Sequence, residues 1–307
     1  MPTKNKMEIL YNLEKKTNLS LALGFFDGIH KGHKKVIENA VQFAKQNNTK
    51  SAVISFVDHP SSFILKRKPE YIIPLKDKIE KIQNLDVDYL YLLNFDNNLA
   101  NMSKENYFNF LLKLTNPIAI TTGFNHFFGK DKKGDTKFLE TECKKNNIKY
   151  TKILPVKVDN KIISSTTIRQ SLMNADFGTV KNMTNYDFYI KGEIIKGNQI
   201  GTKLGYKTIN IKYPDNIIKL PYGVYCTKTK IDNKIYNSIT NWGVKPTINN
   251  NNSPVMETHI LNFNKEIYGQ TATIIFFKKI RDEKKFDTLE DLKTQIKKDI
   301  ELCNYQF

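Results

Sequence analysis

The hydrophobic pattern of this 307-residue chain changes between residues 174 and 184. Before that point, short apolar runs alternate with stretches whose apolar residues recur at helical spacing. After it, strand-like runs follow one another, separated by Gly, Pro and Asn turns. The first pattern is typical of a parallel sheet covered on both faces, and the second of a closed antiparallel barrel. We therefore predict two unlike domains, residues 1–184 and 185–307.

The same patterns predict the individual elements. In the first half, strands are expected at 19–24, 52–56, 89–93 and 117–121, and helices at 33–47, 76–84 and 104–114. In the second half, strands are expected at 189–195, 208–212, 223–231, 234–240, 257–261 and 271–277. One helix closes the chain, with Leu289, Leu292, Ile296 and Ile300 on one face and Asp287 or Thr288 as its cap. The predicted fold is a Rossmann-like α/β domain followed by an antiparallel β-barrel with a C-terminal helix.

Lysine supplies nearly all of the net charge of +17, because only Arg67, Arg169 and Arg281 are arginines. A basic nucleic-acid-binding protein is one alternative, but such a surface usually concentrates its charge and uses arginine forks. Here the lysines are spread along the chain, beside abundant Asn and Ile. We expect small phosphorylated substrates and no nucleic-acid partner; the composition leaves the oligomeric state open.

Cysteine spacing and apolar run length carry two further expectations. Cys143, Cys226 and Cys303 are far apart and lack metal-ligand spacing, so we predict reduced thiols, with neither a disulfide nor a zinc site. No apolar run approaches the ~18 residues of a membrane span. Residues 1–18 lack the apolar core of a secretory signal, so a cytoplasmic protein without a membrane partner is expected.

A glycine-rich turn is the sharpest local feature. The sequence GFFDGIHKGH, residues 24–33, follows a predicted strand and opens a helix. Glycines let the backbone pass close to phosphates, and free N–H groups at a helix start favour anions. His30 and His33 at such a start can both donate hydrogen bonds to a phosphoryl group. A turn with two surface histidines is the alternative, but the strand, the glycines, Asp27 and H-x-G-H together favour a phosphate site.

This turn resembles the H-x-G-H signature of the adenylyltransferase superfamily, and the wider chain resembles the bacterial bifunctional riboflavin kinase/FAD synthetases. Three later segments are similar to family motifs: SFVDHP at 55–60, TGFNHFFGK at 122–130 and ISSTTIR at 163–169. The last one is also suited to capping a helix, with its serines at the helix start. The chain departs from the family pattern at His126, Phe127 and Thr167.

By this resemblance, the first domain is an FMN adenylyltransferase. Its catalytic histidines are then His30 and His33. The implied residues on the ATP and phosphate side are Gly24, Phe26, Asp27, Gly28, Asn125, Ser165, Thr166 and Arg169. The implied residues on the flavin side are Phe56, His59 and Pro60.

A kinase in the second domain has to hold ATP without a P-loop, because no G-x-x-x-x-G-K-[ST] occurs. Residues 191–210 contain several glycines, and Thr208 and Asn210 are spaced to share one strand face. Their oxygens suit a hard cation such as Mg²⁺ at nucleotide phosphates. An ordinary Gly-rich hairpin is the alternative.

The same stretch resembles the riboflavin kinase signature, with Lys207 in place of its proline, and NWGVKPT at 241–247 resembles the next family motif. The resemblance implies ATP and phosphate contacts from Gly197, Gly201, Lys203, Gly205, Thr208 and Asn210, with the last two at the metal. Glu257 matches the catalytic base; alone, it would be a solvent-facing strand residue. Arg281 matches a flavin-side residue, and a strand-end salt bridge is an equal alternative.

The resemblance therefore implies two reactions that use ATP with Mg²⁺. Riboflavin is phosphorylated to FMN in the second domain, and FMN is adenylylated to FAD with release of pyrophosphate in the first. The nearest alternative is a riboflavin kinase whose first domain is impaired by the changes at residues 126, 127 and 167. A flavin-sensing module that binds without turnover is a third possibility.

Overall fold

The computed structural model describes residues 6–66, 70–196, 205–244 and 254–304. It forms two compact units, Met1–Thr167 and Ile168–Phe307, and the division falls inside one helix. We describe each unit by itself.

The first unit is built on a six-stranded parallel sheet with the strand order β1-β4-β3-β2-β5-β6. Its strands are β1 (Glu8–Leu10), β2 (Leu19–Leu23), β3 (Lys50–Phe56), β4 (Tyr89–Leu93), β5 (Ala119–Gly123) and β6 (Lys149–Ile153). β2 is buried along its whole length, which explains its unbroken apolar sequence. The prediction of a Rossmann-like sheet is confirmed, and the two edge strands β1 and β6 were not predicted.

Helices and short turns connect these strands. They are α1 (Lys31–Gln46), α2 (Pro60–Leu65), α3 (Leu75–Gln83), α4 (Asn97–Ala100), α5 (Lys104–Thr115), the 3₁₀ turn Lys130–Lys132 and α6 (Thr136–Lys145). α1 buries Val36, Ile37, Ala40, Val41 and Ala44, which recur at helical spacing. The prediction for β5 began two residues early: Pro117 has no N–H to donate to the sheet, and the strand begins at Ala119.

A small hairpin and two helices follow: β7 (Lys157–Val158), β8 (Lys161–Ile162), α7 (Ser165–Met173) and α8 (Phe177–Thr184). Ser164 accepts a hydrogen bond from the Thr167 N–H (3.1 Å) at the start of α7, so the expected cap is present. Within the second unit, the Phe177 ring of α8 packs against Phe188, Tyr225 and Phe276.

The second unit is a closed barrel with the strand order β10-β13-β12-β11-β14-β9. Its strands are β9 (Tyr189–Ile195), β10 (Thr208–Ile211), β11 (Gly223–Ile231), β12 (Lys234–Val244), β13 (Pro254–Ile260) and β14 (Thr271–Arg281). Neighbouring strands are antiparallel throughout, which confirms the predicted barrel. β12 and β14 each run four residues beyond their predicted ends, because pairing with neighbouring strands continues there.

Helix α9 (Leu289–Asn304) closes the chain, as predicted, and Thr288 caps it by accepting from the Asp291 N–H at 3.1 Å. Ile300 packs into a cluster with Val224, Cys226 and Ile239, whereas Leu289, which was predicted to lie on the same apolar face, is 58% exposed.

The prediction of reduced thiols is wrong for two of the three cysteines. Cys226 of β11 and Cys303 of α9 form a disulfide, and both are fully buried. They are 77 residues apart in sequence, and only the packing of α9 on the barrel brings them together. Cys143 is free and buried. Among the described residues, no helix is long and apolar enough to cross a membrane.

Candidate active sites

The glycine-rich turn lies at the switch point of the parallel sheet. β2 has β3 on one side and β5 on the other: the chain continues from β2 to β3 and β4 on one side and then crosses to β5 on the other. In open α/β sheets, ligands bind at the carboxyl ends of the strands where the order reverses. Residues 24–33, called the histidine turn below, leave the carboxyl end of β2 at this point and lead into α1.

The two histidines of this turn lie against each other. Their rings stack with 3.5 Å between centroids and 20° between planes, and the Phe26 ring meets His33 edge-on. His30 is the N-cap of α1: its Nδ1 accepts from the His33 N–H at 3.2 Å. An accepting Nδ1 places the proton of the neutral ring on Nε2, so His30 has one ring N–H left to donate.

Burial keeps both rings neutral near neutral pH. Desolvation lowers the pKa of His30 to about 4. It also holds the pKa of His33 well below its usual value, with further lowering by the charges of His30 and Lys78. The Nδ1 atom of His33 is buried, and none of the described residues bonds to it. The turn therefore holds two neutral imidazoles at a helix start: His30 has a ring N–H left to donate, and His33 Nδ1 is buried without a partner among the described residues.

Gly28 and Gly32 allow the chain to make this turn. Gly28 has φ +77°, in the left-handed region that favours glycine. A Cβ on Gly32 would lie 3.1 Å from the His30 ring, closer than ordinary van der Waals contact. Phe26 and Ile29 also have positive φ, +60° and +37°, which costs energy for residues with side chains.

Asp27 connects the turn to two other segments. Its carboxylate accepts from the Ile72 N–H (3.0 and 3.2 Å), and its carbonyl accepts from Ser165 Oγ (3.0 Å). Ser165 is 138 residues away in sequence, so the S-S-T segment and the histidine turn meet only in the tertiary structure. Thr166 is exposed beside Ser165, and Arg169 lies one turn further along α7.

The predicted flavin-side residues follow β3, the strand beside β2. Phe56 ends β3, His59 caps α2, and Pro60 is the first residue of α2. The His59 ring meets Phe25 of the histidine turn edge-on, with 4.6 Å between centroids. His59 Nδ1 accepts from the Ser61 N–H at 3.0 Å. This segment and the histidine turn are therefore in direct contact.

The loop after β5 carries Asn125 and two of the three residues that depart from the family pattern, His126 and Phe127. Asn125 and Phe127 are exposed. His126 has a buried Nε2 without a partner, and burial lowers its pKa to about 4. Because β5 neighbours β2, this loop leaves the same edge of the sheet as the histidine turn. The predicted residues of the first site thus come from neighbouring strand ends and the start of α7.

The predicted kinase residues form a row across three barrel strands. Glu257 of β13 pairs with Asn210 of β10 on one side and with Asn241 of β12 on the other. Its neighbours Met256 and Thr258 are fully buried, whereas Glu257 is partly exposed, so it faces outward from the barrel. Asn210 is 3% exposed, and its Oδ1 is buried with no hydrogen-bond partner among the residues that the structure describes.

A second pair lies two residues along the same strands. Thr208 pairs with His259, as expected for a residue on the same face as Asn210. His259 Nδ1 lies 2.8 Å from the Lys207 carbonyl oxygen, and the Tyr206 ring meets its ring edge-on. Gly205 has φ +85° beside this pair. Gly197, Gly201 and Lys203 lie outside the described residues, as do residues 245–247 of the NWGVKPT motif.

Arg281 ends β14 and pairs with Asp299 of α9. Its Nε lies 3.0 Å and its Nη2 2.8 Å from Asp299 Oδ2, and its Nη1 donates to the Asp282 carbonyl (3.0 Å). Asp299 is 2% exposed and also accepts from Gln295 at 2.8 Å. The strand-end salt bridge considered for Arg281 is therefore present, and it attaches α9 to the barrel.

Comparison with known proteins matches both halves to flavin enzymes. An FAD synthetase model matches residues 12–167, and a riboflavin kinase model matches residues 184–307. A bifunctional riboflavin kinase/FMN adenylyltransferase of Bacillus subtilis is 33% identical, covering 93% of this chain and 92% of the relative. Its counterpart in Buchnera aphidicola (Schizaphis graminum) is 34% identical and covers 97% of both chains.

The chain belongs to the bifunctional riboflavin kinase/FMN adenylyltransferase family. It is a two-function enzyme of flavin cofactor biosynthesis, and the presence of both modules favours this over a kinase alone. A crystal structure of a Streptococcus pneumoniae protein described as a macrolide-efflux protein is also similar, with a TM-score of 0.84 and 26% identity. It covers 97% of this chain, and 98% of its own chain is matched.

Sequence reasoning missed one buried group beside the histidine turn. Lys78 is 3% exposed and contacts both the histidine turn and the end of β3. It lies within a predicted helix and belongs to none of the family motifs. A lysine in the apolar face of an amphipathic helix is the signal that could have identified it, because lysine is rarely buried without polar partners.

Proposed function

We propose that the histidine turn is the adenylyl-transfer site, where an FMN phosphate oxygen attacks the α-phosphorus of ATP and pyrophosphate leaves. The supporting observation is the stacked pair of neutral imidazoles at the start of α1. No protein nucleophile is needed, because one substrate's phosphate attacks the other and the site has only to align them. The helix start and the glycine backbone favour the anionic phosphates.

In this proposal, His30 and His33 stabilise the charge that develops on the transferring phosphoryl group. A neutral ring donates through one N–H, and the buried, unpartnered Nδ1 of His33 is a group that a ligand can satisfy. Desolvation strengthens such hydrogen bonds, because competing water is removed. Gly24, Phe26, Asp27 and Gly28 are assigned to shaping the turn around the phosphates.

The remaining nucleotide contacts are assigned to Asn125, Ser165, Thr166 and Arg169. The Ser165–Asp27 hydrogen bond supports this assignment, because it joins the start of α7 to the histidine turn. Arg169 has the planar fork that suits a polyphosphate. Phe56, His59 and Pro60 are assigned to the flavin side, supported by the contact between His59 and Phe25.

For the kinase, we propose that Glu257 takes the proton of the riboflavin 5′-hydroxyl as that oxygen attacks the γ-phosphorus of ATP and ADP leaves. Its position in a row with Asn210 and Asn241 on the outer barrel face supports this role. Gly197, Gly201, Lys203 and Gly205 are assigned to a phosphate-covering loop, and only Gly205 of these is described. Arg281 acts on the flavin side by holding α9 through Asp299.

The side chains of Asn210 and Thr208 fit a magnesium ion. Oxygen ligands suit Mg²⁺, and Asn210 shares its face with Thr208. Within the described part of the chain, the Oδ1 atom of Asn210 is buried with no partner. Asn210 and Thr208 would hold the ion. When bound, Mg²⁺ supplies positive charge that neutralises the nucleotide phosphates.

We place the boundary between the two catalytic domains near residue 184, giving residues 1–184 and 185–307. The first domain then keeps Ser165, Thr166 and Arg169, which the proposed ATP site requires. The riboflavin kinase match beginning at residue 184 supports this boundary. We propose a cytoplasmic location, because the similar bacterial proteins are biosynthetic enzymes of the same two activities.

Two assays on the purified chain test the proposal. Riboflavin with ATP and Mg²⁺ should give FMN and ADP, and FMN with ATP and Mg²⁺ should give FAD and pyrophosphate. Formation of FMN without any FAD would support the alternative that the chain is a riboflavin kinase only. Steeply salt-dependent binding to DNA or RNA, without either product, would instead indicate a nucleic-acid-binding protein.

A further inference from the structure

Lys78 of α3 is a buried lysine next to the proposed adenylyl-transfer site. Its side chain is 3% exposed, although lysine is almost never buried unless its ammonium is paired. Neither the adenylyl transfer proposed above nor the sequence motifs give Lys78 a role. Its surroundings therefore require an explanation.

The ammonium of Lys78 has three acceptors. Nζ donates to the carbonyl of Phe56 at 2.9 Å, to the carbonyl of Phe25 at 3.3 Å and to Ser55 Oγ at 3.3 Å. An ammonium has three N–H donors, so these acceptors match its full capacity. Its charge also lies 4.1 Å from the centroid of the Phe25 ring, within the range of a cation–π interaction.

These acceptors belong to two neighbouring segments of the site. Phe25 is in the histidine turn after β2, whereas Ser55 and Phe56 end β3. Ser55 Oγ in turn donates to the Phe25 carbonyl at 3.0 Å, so Lys78, Ser55 and Phe25 form a closed triangle of hydrogen bonds, to which the Phe56 carbonyl adds one further acceptor. On its other side, the Phe25 ring contacts His59. Lys78 thus lies where the phosphate-side and flavin-side segments join.

The positive charge of Lys78 is stabilised by nearby carboxylates and is not neutralised by deprotonation. Asp27 of the turn and Asp58 after β3 act on Lys78 with favourable charge, while desolvation lowers its pKa to about 8. The charge of Lys78 also acts on His33 of α1, where it helps to lower the pKa. A group with this pKa is mostly protonated at pH 7. The site therefore includes one buried cation close to the place proposed for two anionic substrates.

We propose that Lys78 is a positioning residue for adenylyl transfer. Its ammonium holds the backbone of the histidine turn against the end of β3, so that the two histidines and the flavin-side residues keep one geometry. The proposal rests on the assignment of adenylyl transfer to the histidine turn. A small displacement of aligned reactants can cost about 100-fold in rate, so such an attachment has a direct catalytic consequence.

The test compares three variants of the full chain. Lys78→Met removes the ammonium and keeps the length of the stem. Ser55→Ala removes one acceptor and leaves the charge in place. Lys76→Met removes an exposed lysine from the same helix and is the matched control. For each variant, kcat and KM are measured for FMN adenylylation, and riboflavin phosphorylation by the same preparation reports on the intact second half.

We expect Lys78→Met to lower kcat for adenylylation at least about 30-fold, with the KM for ATP changed less than about threefold. Ser55→Ala should lower kcat by roughly three- to tenfold, and Lys76→Met should match the parent. A purely structural lysine would lower the melting temperature but leave kcat per folded chain unchanged.

Two results would overturn the proposal. One is a Lys78→Met variant that adenylylates FMN within about threefold of Lys76→Met. If Lys78→Met does not fold, Ser55→Ala decides, and a parental kcat in that variant counts against the proposal. Loss of activity in His33→Ala together with full activity in Lys78→Met would refute only the role of Lys78. Full activity in His33→Ala would instead refute the site itself.

Discussion

The imidazole of His33 lies face to face with that of His30, with 3.5 Å between the ring centroids. Two imidazolium cations at this distance would repel each other, and burial further disfavours their charged forms. The pair is therefore a neutral donor arrangement at the start of α1. This relationship gives the adenylyl-transfer assignment its sharpest test.

His33→Ala should lower FAD formation from FMN and ATP by at least about 100-fold, as expected when a donor to developing phosphoryl charge is lost. Riboflavin phosphorylation should stay at the parental rate, because that reaction is assigned to the barrel. Separation of FMN, FAD and riboflavin by chromatography measures both steps in one mixture. A variant that makes FAD at the parental rate would contradict the assignment of the histidine turn.

Glu257→Gln should lower FMN formation from riboflavin by about 100-fold or more, because an amide cannot take the proton of the 5′-hydroxyl. Conversion of supplied FMN to FAD should be unaffected. Glu266→Gln changes an exposed glutamate of the same unit and serves as the control. Loss of both reactions in Glu257→Gln would argue against two independent sites.

Acid should destabilise the first unit through its buried histidines. The pKa values of His30 and His126 are lowered to about 4, and that of His33 also lies well below 6.5. As pH falls from about 6.5 to about 4, the unfolded chain binds protons that the folded unit does not, so the free energy of unfolding decreases. Above pH 6.5 these histidines are unprotonated in both the folded and the unfolded chain, so there they do not lower the free energy of unfolding.

His126→Phe should reduce this acid sensitivity, because it removes one of the three groups and its unpartnered Nε2. The difference in unfolding free energy between pH 7.5 and pH 5 should shrink by an amount on the order of 1 kcal/mol. Urea denaturation at the two pH values gives the comparison, with His259→Phe in the other unit as a control. If the difference in unfolding free energy between the two pH values is unchanged in His126→Phe, His126 is not a source of the acid sensitivity.

The disulfide should be detectable by thiol counting. Denatured, unreduced protein should show one reactive thiol, from Cys143, and the reduced protein should show three. Reduction, or Cys303→Ser, should lower the stability of the second unit by about 2–4 kcal/mol, because the bond closes a long loop. Cys143→Ala should leave the stability of that unit unchanged. Three reactive thiols before reduction would mean that the pair is not oxidised in the isolated protein.

Local periodicity determined much of the fold. The strands Tyr89–Leu93, Tyr189–Ile195 and Gly223–Ile231 were predicted with their observed bounds, because alternation or continuous apolar sequence marks a strand without knowledge of its partner. The edge strands β1 and β6 were not predicted. β6 contains no fully buried residue, so its sequence carries little of the signal that burial imposes.

The motifs likewise identified residues but not all of their partners. Local patterns were enough to predict the two domain types, the histidine turn, and the shared face of Thr208 and Asn210, since each depends on residues close together in the chain. Three contacts became visible only in the folded chain: Ser165 bonds Asp27, Cys226 reaches Cys303, and Lys78 is buried beneath the turn. Those contacts depend on which elements pack together, and that packing is set by burial over the whole unit rather than by any local spacing.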